Sequence, residues 1–289
     1  MIGAKVVLSS LHPQDRGPDQ RITTLIATVP HIILPQMNTH RVFSRNVGSS
    51  RAKPFKVLKE AASRENRFVP RKFGKNQPGM QSYTFFEGAD HDRAEAAWHH
   101  ATESAIQCAE AMNDIGVHKQ ICNRLLEPFI YVDMLITSSE WENFFQLRAH
   151  HAAQPEIEDV AIAIKKAIDT SEPQVLRLGE WHIPFVTEQE RSRYDLKTLL
   201  KISTARNARI SYKTFDGKIS TLDKDLELYE SLVGSHPKHM SPTEHIAQAV
   251  DIKSQWIPDF GGMLNLGRMK SNLGSCWLQY RKLVEMGIV

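Results

Sequence analysis

The segment Gln36–Arg51, QMNTHRVFSRNVGSSR, gathers side chains that bind and polarise anions. It holds Gln36, His40, Arg41, Ser44, Asn46, Ser49, Ser50 and Arg51. On a helix Gln36 and His40 share a face, as do His40 and Ser44. The pattern therefore predicts a short helix from about Gln36 to Asn46 with a polar face. Gly48-Ser49-Ser50-Arg51 follows with backbone N–H groups, hydroxyls and a guanidinium, the combination that a phosphate accepts. The same residues also suit a solvated helix end and a Ser-rich surface turn.

Two further clusters carry chemistry. Arg124 and the stretch Asn143-Phe-Phe-Gln-Leu-Arg148, followed by Ala153-Gln154-Pro-Glu-Ile157, set arginines among apolar residues. A guanidinium at the edge of a core points to a fixed anionic partner. The plainer reading is a surface ion pair with Glu156 or Glu158. In His236-Pro-Lys-His239-Met-Ser241-Pro-Thr-Glu244-His245, Ser241 can cap a helix with Pro242 in its first turn. Glu244 then completes a capping box, and the helix end is either an anion site or only a cap. The histidine spacing matches no standard metal-ligand set. Cys108, Cys122 and Cys276 are scattered, which predicts buried free thiols rather than a disulfide framework or a zinc site.

The elements that must position these groups read as mixed α+β. Lys5–Ser10 and Ile22–Val29 are rich in β-branched residues and read as strands. Ala52–Asp90 is basic and rich in Gly and Pro, and reads as a long functional loop. Helices are expected over Asp92–Asn113, Glu140–His151 (capped by Ser139), from Pro155 to about Asp169, and over Glu188–Ser203, Leu222–Leu232 and Thr243–Val250. Cys276–Glu285 suits a terminal helix. Phe129–Ile136 is a strand or a buried helical segment. Ser171–Pro184 reads as irregular and Asp251–Asn272 as loop. With 289 residues, 41% hydrophobic and 24% charged, and no repeat or clean linker, one domain over 1–289 is expected, with 52–90 an excursion within it. No apolar run suits a membrane span and the N-terminus lacks a signal-peptide pattern, so the cytoplasm is the expected location. The net charge of +3 argues only weakly for nucleic acid.

Taken together, the clusters resemble the flavin-dependent thymidylate synthase (ThyX) family. Its signature is R-H-R, seven residues, then Ser; here Thr39-His40-Arg41 and Ser49 fit with the first Arg replaced. Asn143–Ile157 resembles the family's later segment. Ala208–Tyr212 with His239–His245 resembles its Ala-Arg-hydrophobic-Ser-Tyr and His-x-[Ser/Thr]-Pro-x-Glu-His pieces. In the commoner members that last piece precedes the signature. The order here, with the tail Trp277–Lys282, resembles circularly permuted versions found in bacteriophages.

The resemblance implies a ThyX-like α+β fold, an antiparallel or mixed sheet flanked by helices. It implies FAD-dependent transfer of a one-carbon unit from methylenetetrahydrofolate to C5 of a pyrimidine deoxynucleotide, dUMP to dTMP, with NADPH recharging the flavin. Gln36, Ser49, Ser50, Arg51, Arg124 and Arg148 would hold the nucleotide, with Ser49 and Arg148 closest to the chemistry. His40, Arg41, Asn46, Asn143 and Ser241 would contact FAD, and His239 and Glu244 the flavin or folate side. A homotetramer with shared active sites is implied, and no metal. Thr39 replaces an Arg, and Val47 stands where an acidic residue is usual. These departures leave open a hydroxymethylase acting on dUMP or dCMP. A non-catalytic module that uses Arg51, Lys53, Lys56, Arg71 and Lys72 on nucleic acid is the alternative of another class.

Overall fold

The computed structural model of the chain describes all residues except 15–19, 211–217, 219, 252–255, 258–261 and 264–268. The strands are β1 (Gly3–Leu11), β2 (Arg21–Pro30), β3 (Ser44–Val47), β4 (Tyr131–Ser138), β5 (Gln174–Val175), β6 (Trp181–His182), β7 (Ala247–Ala249), β8 (Trp256–Ile257), β9 (Gly262–Met263) and β10 (Trp277–Gln279). The helices are α1 (Leu34–Met37), α2 (Phe55–Ala61), α3 (Gly88–Asp114), α4 (Lys119–Cys122), α5 (Glu142–Arg148), α6 (Pro155–Asp169), α7 (Glu188–Arg193), α8 (Leu196–Arg209), α9 (Leu222–Tyr229) and α10 (Tyr280–Glu285).

The main sheet is mixed, in the order β3-β4-β2-β1-β5. All its pairings are antiparallel except the short parallel edge β1–β5. Alternate residues of a strand face one side. Leu25, Ala27 and Val29 of β2 and Met134 and Ile136 of β4 accordingly meet α6 in one buried cluster. Helix α6 answers with Ile157, Val160, Ala161, Ile164 and Ile168, an apolar stripe at helical spacing. Each fully buried Ile or Leu contributes about 1.5–3 kcal/mol from burial alone. A second core, with Leu199, Leu200 and Ile202 of α8 and Leu278, Tyr280 and Leu283 near β10 and α10, supports the small sheet β10-β7-β6.

The α+β class, the first two strands, α6 beginning at Pro155 and β4 agree with the expectations. Several local readings are corrected. No helix spans Gln36–Asn46: α1 ends at Met37, and Ser44–Val47 is an edge strand paired with β4. The ladder to β4 and the burial of Phe43 override weak helical propensity. The Ala52–Asp90 stretch is not wholly loop, because it contains α2, the bridge Gly74–Phe85 and the start of α3. Ser139 is not a cap, since α5 begins at Glu142 after Trp141. Glu188–Ser203 divides into α7 and α8, which has its own cap at Asp195. Helix α9 stops at Tyr229, and one π-helical turn, Glu230–Gly234, follows. Thr243–Val250 is not a helix; a 3-10 turn, Ser241–His245, leads into β7, whose ladders to β6 and β10 fix an extended chain. Ser171–Pro184 contributes β5 and β6, Asp251–Asn272 contains the β8–β9 hairpin, and Cys276–Glu285 opens with β10. Cys108 is exposed, and only Cys122 and Cys276 are buried thiols.

Candidate functional site

His40 sits in the turn between α1 and β3, edge-on to Phe144 at 4.9 Å. The ring is buried. Arg148, at the end of α5, donates Nε–H to His40 Nε2 at 3.1 Å. That bond requires a neutral ring with its proton on Nδ1. Burial, then the guanidinium groups of Arg148 and Arg45, push the His40 pKa below its ordinary value. Arg45 braces the turn by donating to the carbonyls of Met37 and His40 at 3.0 and 2.9 Å. Thr39 donates to the Gln36 carbonyl at 2.7 Å and lies 3.5 Å from Arg148 Nη2. Gln36 donates its side-chain amide to Gln154 Oε1, and Gln154 donates to Glu156 at 2.8 Å. Gln36, His40 and Arg148 therefore form one neighbourhood. The ion pair of Arg148 with Glu156 or Glu158 does not form.

The turn after β3 is a second neighbourhood. Gly48 N–H is engaged by the Asp133 carbonyl at 3.0 Å, so it is not free for an anion. Ser49 and Arg51 are exposed, whereas Ser50 is buried and donates to Glu127. Asn123 donates to the Ser50 carbonyl at 2.7 Å. Exposed Arg124 reaches Glu127 at 3.2 Å. No hydrogen bond joins this group to Gln36, His40 or Arg148 among the described residues.

The Ser241–His245 turn packs beside β3. Asn46 donates to the Asn207 carbonyl at 3.2 Å, and Asn207 donates to the Pro242 carbonyl at 3.1 Å. The expected capping box is absent: Met240 takes the cap position, no side chain caps the turn, and Glu244 pairs with Arg281 instead. Its turn is also too short to serve as a helical anion site. Ser241 and His239 are exposed. Asn143 lines a separate cavity of about 890 Å³ with Trp141, Phe145 and Val42. Of the segment Ala208–Tyr212, Ser211 and Tyr212 lie outside the described residues.

Several contributors escaped the sequence reading. Asn272 and Gln279 both donate to the buried Ser44 hydroxyl, at 3.0 and 3.2 Å, and Gln279 also donates to the Glu244 carbonyl at 3.0 Å. These amides clamp the signature segment to the Ser241–His245 turn. Arg41, Arg45, Lys270, Arg281 and Lys282 surround Glu244 in a cleft of about 300 Å³. In the sequence, the tail Trp277–Lys282 matches the family without a role of its own, and Arg41 and Glu244 fall among the cofactor contacts; Lys270 draws no reading.

Behind the turn lies a chain of buried polar groups. Gln174 donates to Ser10 Oγ at 3.1 Å, and Ser10 contacts His182 Nδ1 at 2.8 Å. His182 Nε2 meets Thr24 at 2.8 Å, Thr24 meets Thr137 at 2.6 Å, and Thr137 meets His245 Nδ1 at 2.8 Å. Every hydroxyl proton finds an acceptor when the donors run from Ser10 towards His245. In that direction His245 carries its proton on Nε2, which has no partner. Burial lowers both histidines to about 3, with smaller contributions at His182 from Arg191 and His245. Both are neutral at physiological pH. Among the described residues no cluster of His, Cys, Asp or Glu could hold a metal ion, and no helix is long and apolar enough to cross a membrane.

A neutral histidine that orients an arginine, a cationic cleft lined by Arg41 and Arg45 of the same segment, and an exposed Ser–Arg turn in a second neighbourhood suit an enzyme that acts on a phosphorylated small molecule. The chain belongs to the thymidylate synthase complementing protein family, the flavin-dependent thymidylate synthases, whose profile matches residues 20–174, more than half of its length. Membership makes it an enzyme of the nucleotide methyltransferase type. Two solved structures of a UMP/dUMP methylase, PolB from Streptomyces cacaoi, are similar to it at 19% identity. The one bound with 5-Br UMP has a TM-score of 0.45 and covers 58% of this chain and 88% of its own. The one bound with 5-Br dUMP has a TM-score of 0.48 and covers 58% and 90%. No curated protein matches the sequence.

Proposed function

We propose that the chain transfers a one-carbon unit from methylenetetrahydrofolate to C5 of dUMP, with FAD as cofactor and NADPH as electron donor. The observation that carries this reading is the His40–Arg148 pair within the family signature. Accepting from Nε fixes the guanidinium plane and leaves the terminal N–H groups of Arg148 turned away from His40. A base carbonyl held there gains negative charge as C5 becomes nucleophilic, and a pre-oriented donor stabilises that charge. Ser49, Ser50 and Arg51, with Arg124, hold the nucleotide phosphate, and Gln36 the base. Ser49 and Arg51 present unengaged donors, whereas Ser50 and Arg124 must be released from Glu127.

The donor set fits a phosphate-bearing flavin. His40, Arg41, Asn46, Asn143 and Ser241 would hold FAD, with His239 and Glu244 toward the flavin or folate. When bound, FAD supplies the reducing equivalents for the transferred carbon. His40 remains a neutral acceptor and keeps Arg148 aligned. The placement of the Ser241–His245 turn against β3 supports reading the motif order as a circular permutation of one domain. We propose a cytoplasmic homotetramer with shared active sites, a reading supported by the exposure of Ser49, Arg51 and Arg124 within one chain.

Thr39 and Val47 favour a second reading. Thr39 is a neutral neighbour of Arg148, and Val47 packs against the main core, so neither restores the family's charges. Addition of water instead of hydride would leave a hydroxymethyl group on dUMP or dCMP. Mass spectrometry of the products formed from dUMP or dCMP with methylenetetrahydrofolate, NADPH and FAD tests both readings. The first predicts dTMP from dUMP, and dTMP as sole product rejects the second. No product from either nucleotide rejects both. For the alternative of nucleic-acid binding by Arg51, Lys53, Lys56, Arg71 and Lys72, Arg71 is already paired with Asp159 and Lys72 lies over the Phe85 ring, which leaves three of the five cations without such a contact among the described residues.

A further inference from the structure

The cleft around Glu244 is built from two distant stretches of sequence. Arg41 and Arg45 come from the signature; Lys270, Arg281 and Lys282 come from the C-terminal segment, outside the matched family region. Its floor is rigid. Ser44 is fully buried, Gln279 is 2% exposed, and Asn272 and Gln279 bond to each other and to Ser44. Five cations face two carboxylates, because Arg281 pairs with Glu244 and Glu285 and Lys282 shares Glu285. Arg41 and Lys270 have no hydrogen-bond or ion-pair partner among the described residues.

Unpaired cations held in a concave wall repel one another and focus a positive potential into the cleft. A small polyanion relieves that repulsion. Phosphate oxygens match the forked donors of Arg41 and Arg281 and the point charges of the lysines. The size of the cleft, about 300 Å³, suits one phosphate or diphosphate group rather than a polymer.

We propose that this cleft binds the phosphate end of a small ligand, with Lys270, Arg281 and Lys282 as contacts supplied by the C-terminal segment. The inference rests on the function proposed above only for the ligand's identity, since FAD, NADPH and dUMP are the phosphate-bearing ligands there; FAD and dUMP serve as probes. Arg281 also anchors Glu244, so the lysines are the cleaner probes.

The test is calorimetric titration of the full chain with inorganic pyrophosphate, FAD, riboflavin and dUMP. Pyrophosphate is expected to bind, and Lys270→Glu and Lys282→Glu each to weaken it about tenfold or more, the loss of one charge-assisted contact. Lys197→Glu, exposed on α8, makes the same change in net charge away from the cleft and should leave binding unaltered. Thermal melts confirm that each variant is folded. A parallel loss for FAD with riboflavin unaffected assigns the cleft to the flavin diphosphate. A parallel loss for dUMP alone assigns it to the nucleotide. Pyrophosphate binding without any FAD or dUMP binding keeps the cleft and rejects the proposed function. Absence of pyrophosphate binding, equal binding in the lysine variants, or an equal loss in Lys197→Glu overturns the inference.

Discussion

His182 and His40 are both withdrawn from solvent, yet they are used differently. Hydroxyls hold both nitrogens of His182 in the buried chain from Ser10 to His245. His40 accepts from a guanidinium on one nitrogen, and that guanidinium keeps part of its surface exposed. The buried chain satisfies nearly all its donors and acceptors internally, so its contribution is to stability. The rim leaves donors unanswered on Arg41, Arg51 and Arg148, so under the proposed function its contribution is to binding. Among these groups, which polar residues act on a ligand is set less by type than by whether the fold already supplies their partners.

Acid should break this division most strongly. His182 and His245 stay neutral in the folded chain down to about pH 3. Unfolded, they accept protons below about pH 6.5. The unfolded state therefore gains protons as pH falls, and stability drops between those limits. On the order of 4 kcal/mol should be lost between pH 7 and pH 5, about 2 per histidine, as read by urea denaturation. A flat stability profile would show that the histidines are not held neutral.

Arg148→Ala should lower product formation about a hundredfold, the cost of removing one oriented donor. Its melting temperature should hardly move. Thr24→Val should do the opposite: about 2 kcal/mol of stability lost with two buried hydrogen bonds, and ligand affinities unchanged in titrations. The smallest effect is expected for Arg124→Ala, with dUMP binding weakened about tenfold and stability changed by less than about 0.5 kcal/mol. If Thr24→Val altered affinity as much as Arg124→Ala does, the buried chain would belong to the site after all.

His40 and Arg148 were each legible as candidates because each lies in a compact motif whose types already suggest anion chemistry, but their pairing was not, since 108 positions separate them. The two long strands and α6 were legible because one period of hydrophobicity runs through each. The Ser10–His245 chain was not, because its members lie on separate elements and each looks ordinary alone. The helix expected at Gln36–Asn46 failed because a ladder to β4, formed by residues far ahead in sequence, outweighs local propensity. The capping box at Ser241 failed for the same kind of reason, since Arg281 takes the carboxylate that would have closed it. Lys270 drew no reading, and Arg281 only a place in the matched tail, until the fold set both in one cleft with Arg41.

The clamp on Ser44 has a kinetic consequence. Its two amide partners lie 228 and 235 positions away in the chain. Contacts of such high order close late, because the chain entropy they cost is recovered only when much of the fold exists. The β1–β2 hairpin and α6 can therefore assemble around an unfinished signature. A ligand that meets this chain during synthesis finds the sheet before it finds the cleft.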